Sequence, residues 1–367
     1  MAAVKAWRGC IPAGMCELPR KALGAAAALG LAWSAATGVA VAEEPIRLKV
    51  VGGLGMASQY ARFEEPFWTK RIGELSDGRI EATIHPYDKS GLRAQDLMQL
   101  MRLGVVPWGN LPLSVAAHDE PELNAVDLPG LNPDIRALRR TITAYRPYLE
   151  QVLAERHGIV LLGVHAYPAQ VIFCREAFAR LDDLAGRRVR TSAVAQSEFV
   201  EGLRGIPVIT PFGEIAAALK DGVVDCAITG TLGGNEIGLH EITSHVHGMA
   251  VSWGVTLFGA NAAAWGALPP DLQAVIRKGM GDLEATVLLS AEFDTARGIA
   301  CNTGAPGCGD GRLGGMTLVP PTIEDEARRR SLLVSTVLPR WIGRCGDACV
   351  RSWNDRLAPM VGLSLAH

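Results

Sequence analysis

Residues 184–230, LAGRRVRTSAVAQSEFVEGLRGIPVITPFGEIAAALKDGVVDCAITG, read as strand, helix, strand, helix, strand. Arg188 and Arg190 share one face of a short strand and Val189 takes the other. A helix follows, with Phe199, Val200 and Leu203 on one side, and Gly205 is expected to end it in a left-handed turn. Ile206–Ile209 forms the next strand. Pro211 opens a second helix with Ile215, Ala218 and Leu219 inward, Gly222 breaks it, and 223–228 is a buried strand. A β-α-β-α-β run of this kind predicts an α/β fold. Ligands in such sheets sit beyond the carboxyl ends of the strands. Arg190 closes the first strand at such an end. Glu214 lies in the first turn of its helix, and Asp225 sits in an apolar strand. Both read first as members of structural ion pairs and second as cleft residues.

The same stretch resembles the periplasmic solute-binding proteins of TRAP transporters, the C4-dicarboxylate type. The likeness lies in the order and spacing of Leu184-Ala-Gly-Arg-Arg-Val-Arg190, Gly205-Ile-Pro-Val208, Glu214 and Gly222-Val-Val-Asp-Cys226. Ser76-Asp-Gly-Arg-Ile80 and the passage from Asn261 through Trp265 to Pro269-Pro270 extend it over most of the chain. The resemblance implies a two-lobed periplasmic binding protein, mixed sheets flanked by helices, with a long helix from about Pro270 to Ala300 spanning both lobes. It implies that Arg190 forms a bidentate salt bridge to a substrate carboxylate, and that Arg175 assists as a second basic residue. The partners it implies are a small organic-acid anion and the membrane permease subunits. Two positions depart from the family pattern. Thr229 stands where an asparagine often binds the carboxylate, and Ala216 stands where a tyrosine is usual. Both favour a monocarboxylate over a C4-dicarboxylate.

The chain of 367 residues is 49% hydrophobic with a formal charge of −2, enough for two lobes. Charges form no runs, so disorder and nucleic-acid binding are poor fits. No cofactor is expected. Gly52-Gly-Leu-Gly55 follows a strand, but Ser58 stands where a dinucleotide fingerprint needs its last small residue. The sequence contains no GxSxG, HExxH, SxxK or CxxCH, which argues against an exported enzyme. Lys5, Arg8, Arg20 and Lys21 precede an apolar Ala/Leu/Gly stretch, which ends in Ala40-Val-Ala42. This reads as a secretory leader over residues 1–42 cleaved before Glu43, placing the mature chain in the periplasm; an uncleaved anchor is the alternative. Cys174, Cys226, Cys301, Cys308, Cys345 and Cys349 remain, an even number for an exported chain. Proximity favours 301–308 and 345–349, leaving 174 with 226.

The expected first lobe covers 43–170 with return segments in 254–300. The second lobe covers 171–253, and 301–367 packs on both. Gln59 and Tyr60 open a helix beside the glycine loop and are candidate cleft residues. Phe212, Trp253 and Trp108 are candidates for its apolar walls, though Trp108 reads first as a core residue.

Overall fold

Alternation of apolar and charged residues makes Ile46–Gly52 (β1) a strand with Leu48 and Val50 buried and Arg47 and Lys49 outward. A computed structural model describes residues 44–366; the expected leader and its cleavage point lie outside them. β1 pairs in parallel with Ile80–Pro86 (β2) and Trp108–Pro112 (β3). Ile159–Ala166 (β4) and the returning Val255–Asn261 (β10) complete a five-stranded sheet in the order β2-β1-β3-β10-β4. β10 runs antiparallel to both of its neighbours. The second sheet is built from Gln170–Cys174 (β5), Arg188–Thr191 (β6), Ile206–Ile209 (β7), Cys226–Gly230 (β8), His245–His247 (β9) and Thr317–Val319 (β11). Its order is β11-β9-β5-β8-β6-β7. β6 is parallel to β7 and β8, and β5 is antiparallel to β8 and β9. Both sheets are mixed and flanked by helices, as expected of a two-lobed binding protein.

Aromatic rings fill the first lobe. Trp68 stacks on Phe258 with centroids 5.1 Å apart, and Trp108 lies between Trp68 and Trp265. Among the described residues the chain passes between the lobes three times, once along the helix between β10 and β11 and by two short crossings, β4 to β5 and β9 to β10. The short crossings zip together where Gln170 N–H donates to Ser252 O at 2.8 Å and Val251 N–H donates to Gln170 O at 2.8 Å. Buried Asp127 pins the second crossing, accepting from Trp253 N–H at 2.7 Å and Val255 N–H at 3.1 Å. The helix Pro270–Thr303 runs along both lobes. Gly279 meets Phe67 and Leu75 of the first lobe, while Gly298 sits so close to Thr231 and Leu232 that a Cβ there would stand 2.3 Å from Leu232 N.

All three expected disulfides are present. Cys174–Cys226 joins register partners on β5 and β8, Cys301–Cys308 closes the loop after the long helix, and Cys345–Cys349 lies within Leu338–Arg356. Trp341 and Trp353 are fully buried in the helical tail.

Local readings need four corrections. The helix Val194–Gly202 ends before Gly205, and Arg204, at φ 61°, takes the left-handed position. Its N–H is held by Glu201 O at 2.8 Å, which offsets the strain of a side chain there. β8 begins at Cys226, so Asp225 precedes the strand and Val223 is exposed. β3 was not legible as a strand, and it carries Trp108 into the core. The helical run from Gln59 to Leu75 widens into π turns at Tyr60–Glu64 and Phe67–Arg71, on either side of Pro66, which has no N–H to give.

Replacing Asp127 with alanine leaves two buried N–H groups of the crossing without acceptors. The free energy of unfolding is expected to fall by about 2–4 kcal/mol. Urea denaturation measures this; a loss below about 0.5 kcal/mol contradicts the assigned role.

Candidate functional site

A cleft of about 610 Å³ lies between the sheets, lined from the first lobe by the loop Leu54–Gln59 and from the second by the ends of β6, β7 and β8. Those strands are parallel, so their carboxyl ends open on the same side. Arg190, one residue from the end of β6, is 3% exposed and lines the cleft. Its Nε donates to Thr210 O at 2.9 Å and its Nη1 to Ile228 O at 2.7 Å. Carbonyls from the two neighbouring strands thus fix the plane of the guanidinium. Nη2 has no acceptor among the described residues, and no Asp or Glu among them pairs with the group. Burial pushes the guanidinium down to about 9, and the only opposing influence is Tyr87, across the cleft. It remains a cation at neutral pH, desolvated and without a counter-charge.

Arg188, two residues earlier on the same face, shows the contrast. It meets Asp225 in a fork, Nη2–Oδ1 at 2.5 Å and Nε–Oδ2 at 3.1 Å, at the strand end remote from the cleft. This ion pair, together with hydrogen bonds, holds the Asp225 carboxyl below its usual range and accounts for Asp225. Glu214 stands at the cleft rim and is exposed.

Thr229 on β8 and Phe212 at the turn after β7 also line the cleft, Thr229 fully buried and Phe212 half-buried. Gln59 faces it from the first lobe, and its buried Nε2 has no partner among the described residues. The other candidates lie elsewhere. Tyr60 turns into the core and its hydroxyl donates to Ile84 O at 3.2 Å. Trp108 belongs to the aromatic cluster behind β3. Trp253 is buried beside the crossing, its indole N–H donating to Asn132 O at 3.0 Å. Arg175 is exposed just past β5, beside the Gly222 turn and away from the cleft.

Several lining residues were not singled out from sequence. Tyr87 and Tyr167 present rings from the first lobe, and Thr256 comes from β10. Glu236 crosses the gap, both carboxylate oxygens accepting from Ser58 N–H at 3.3 Å; burial raises it, and Ser58 partly offsets that. The Tyr167-Pro168 pair between two buried strands was the available signal for a crossing residue. Met56, Leu92, Val115, Ile209 and Leu232 supply the apolar part of the walls, and Asp88, Gln95, Ser114, Gln170, Ser192 and Asp294 add polar lining. Apart from Arg190, the only lining cation among the described residues is Arg93, exposed and paired with Asp96 at 2.8 Å.

Residues 59–296 match the family pattern of DctP, bacterial extracellular solute-binding protein, family 7. The C4-dicarboxylate-binding periplasmic protein DctP of Rhodobacter capsulatus is 26% identical over 286 residues, 72% of this chain and 79% of that protein. DctP7 of Bordetella pertussis is an extracytoplasmic solute receptor binding pyroglutamic acid. Its crystal structure superposes with a TM-score of 0.74 at 18% identity, covering 84% of this chain and 99% of that one. A TRAP periplasmic solute-binding protein from Rhodoferax ferrireducens with bound malonate superposes at 0.73 with 21% identity, covering 83% and 95%.

Two substitutions separate wall from core. Trp253→Phe removes one buried hydrogen bond and is expected to lower stability by about 1 kcal/mol while sparing ligand-induced stabilisation. Phe212→Ala is expected to do the reverse. Thermal melts with and without ligand distinguish them, and a loss of ligand response in Trp253→Phe alone would reverse the assignment.

Proposed function

This chain belongs to bacterial extracellular solute-binding protein family 7, the solute receptors of TRAP transport, and from that premise we propose that it captures a small organic monocarboxylate and delivers it to a membrane permease. The observation that carries this reading is the Arg190 guanidinium, buried at a cleft, fixed in plane and short of one anion. A carboxylate bound to Nη2 completes its coordination in a water-poor site, where charge-assisted bonds are strongest. The cation count favours one carboxylate. A second carboxylate meets no free cation among the described lining residues, and Asp88, Glu214 and Glu236 stand against it, while Asp294 is paired with Arg62. The apolar walls suit a hydrocarbon or ring body, and Thr229 and Gln59 each offer a hydrogen bond to a polar substituent. That pyroglutamate, a cyclic monocarboxylate, occupies a similarly folded receptor is consistent with this chemistry.

The lobes we assign, 43–170 with 254–300 against 171–253, close on the ligand about the paired crossings. Closure is selected because the ligand touches both sides. Arg175, Tyr60, Trp108 and Trp253 have no part in this contact.

Arg190→Ala is expected to weaken ligand binding by roughly 30-fold to several thousand-fold, equivalent to about 2–5 kcal/mol. Arg190→Lys keeps the charge but loses the planar fork and recovers little. A thermal-shift panel of organic acids, followed by calorimetry on the two variants, measures this. Response to monocarboxylates such as pyroglutamate, lost in Arg190→Ala, is the expected outcome. Response confined to succinate and malate, or undiminished binding in Arg190→Ala, overturns it.

A further inference from the structure

Glu64 lies behind the glycine loop, one layer from the cleft, and is 1% exposed. Its Oε2 accepts from Gly53 N–H at 2.7 Å, and its Oε1 meets no partner among the described residues. A Cβ on Gly53 would stand 2.8 Å from Glu64 Oε1, 2.9 Å from Tyr167 Oη and 3.4 Å from Asn110 Nδ2, so these three side chains converge on one point. Asn110 Oδ1 is also buried and unpartnered, while its Nδ2 donates to Thr256 Oγ1 at 3.2 Å. Tyr167 Oη accepts from Leu54 N–H at 3.1 Å and has a second lone pair to offer. Glu64 Oε1 and Asn110 Oδ1 are two orphan acceptor oxygens, and the single hydrogen of the Tyr167 hydroxyl serves only one, so the cluster calls for another hydrogen. A carboxyl proton on Oε1, directed at this cluster, supplies it.

The surrounding charges agree. The titratable groups facing Glu64 are Tyr60 on its own segment, Tyr87 from the turn after β2 and Tyr167 from the first crossing. Among the described residues no cation acts on it, and an unpaired carboxylate in such a place neutralises itself. Burial pushes the carboxyl up to about 7, with the Gly53 bond pulling the other way.

We propose that Glu64 is a positioning residue that holds the loop Gly52–Gln59 as a neutral acid, and that its protonation is linked to anion capture at the cleft. The loop carries Gln59 to the ligand and Ser58 to Glu236 on the opposite lobe. An anion arriving near Arg190 disfavours a second negative charge behind the loop. By reciprocity, the protonated form of Glu64 favours the anion. The linkage rests on the cleft being an anion site; the proton itself does not.

The sign follows from the raised folded value. Between the unfolded carboxyl range and about 7, the folded protein holds a proton that the unfolded chain has released. This contribution to stability is therefore full at low pH and lost as pH rises through about 7. Glu64→Gln keeps the shape of the neutral acid and cannot titrate. Thermal melts of the full chain without ligand, from pH 5.5 to 8.5, are expected to show Glu64→Gln gaining roughly 3–6 °C on the parent as pH rises. A difference that stays constant across this range overturns the neutral acid. Calorimetry with pyroglutamate as the monocarboxylate probe is expected to show parent affinity weakening roughly fivefold from pH 6 to 8.5, and Glu64→Gln flat. A parent affinity independent of pH, or the same dependence in Glu64→Gln, overturns the linkage. If pyroglutamate fails to bind at any pH, the monocarboxylate reading is in question, while the ligand-free melts still decide the proton.

Discussion

Moving a guanidinium out of water removes its hydration shell, and something in the fold must replace it. At Arg190 two main-chain carbonyls do so in part. They are dipoles, however, and leave the net charge uncompensated. The rest of the second lobe is arranged around this shortfall. β6, β7 and β8 run in parallel so that their ends, and the carbonyls of Thr210 and Ile228, converge on one side chain. Arg188, with Asp225 beside it, is the same residue type on the same strand with its charge satisfied. The difference between these two arginines separates a structural ion pair from the proposed anion site.

The first lobe answers with neutral donors and with shape. Its loop after β1 presents Gln59 and reaches across to Glu236, and the paired crossings beneath allow the two sides to meet. Behind that loop sits a second uncompensated group, the Glu64 carboxyl, of opposite sign to Arg190. A fold that buries one lone cation and one lone acid so near a shared gap is sensitive to any charge that enters it.

The architecture was legible because it rests on periodicity and punctuation. The strand–helix alternation around Arg190, the long helix after Pro269-Pro270 and the cysteine spacings are local signals, and the structure carries them. Side-chain destination is a tertiary matter. Tyr60, Trp108 and Trp253 are aromatics next to the right loops, but each points into a core whose shape is set by distant strands. Trp108 lies in the core, its first reading, but its strand was not legible because β3, short and interrupted by Gly109, Asn110 and Pro112, lacks a period-2 pattern. Arg175 lies past β5, at the end of the sheet away from the cleft, a fact that depends on β5 running antiparallel to β8. Gln59 and Thr229 were legible because they adjoin a glycine loop and a strand end. Tyr87, Tyr167 and Glu236 were not, since their approach to the cleft depends on how the two sheets face each other.

A crystal structure of the protein with whatever small molecule co-purifies from its host tests the central claim most directly. The account predicts one organic acid in the cleft, its carboxylate within hydrogen-bonding distance of Arg190 Nη2. A bound solute that lacks an acidic group, or one whose acid end lies away from that guanidinium, contradicts it.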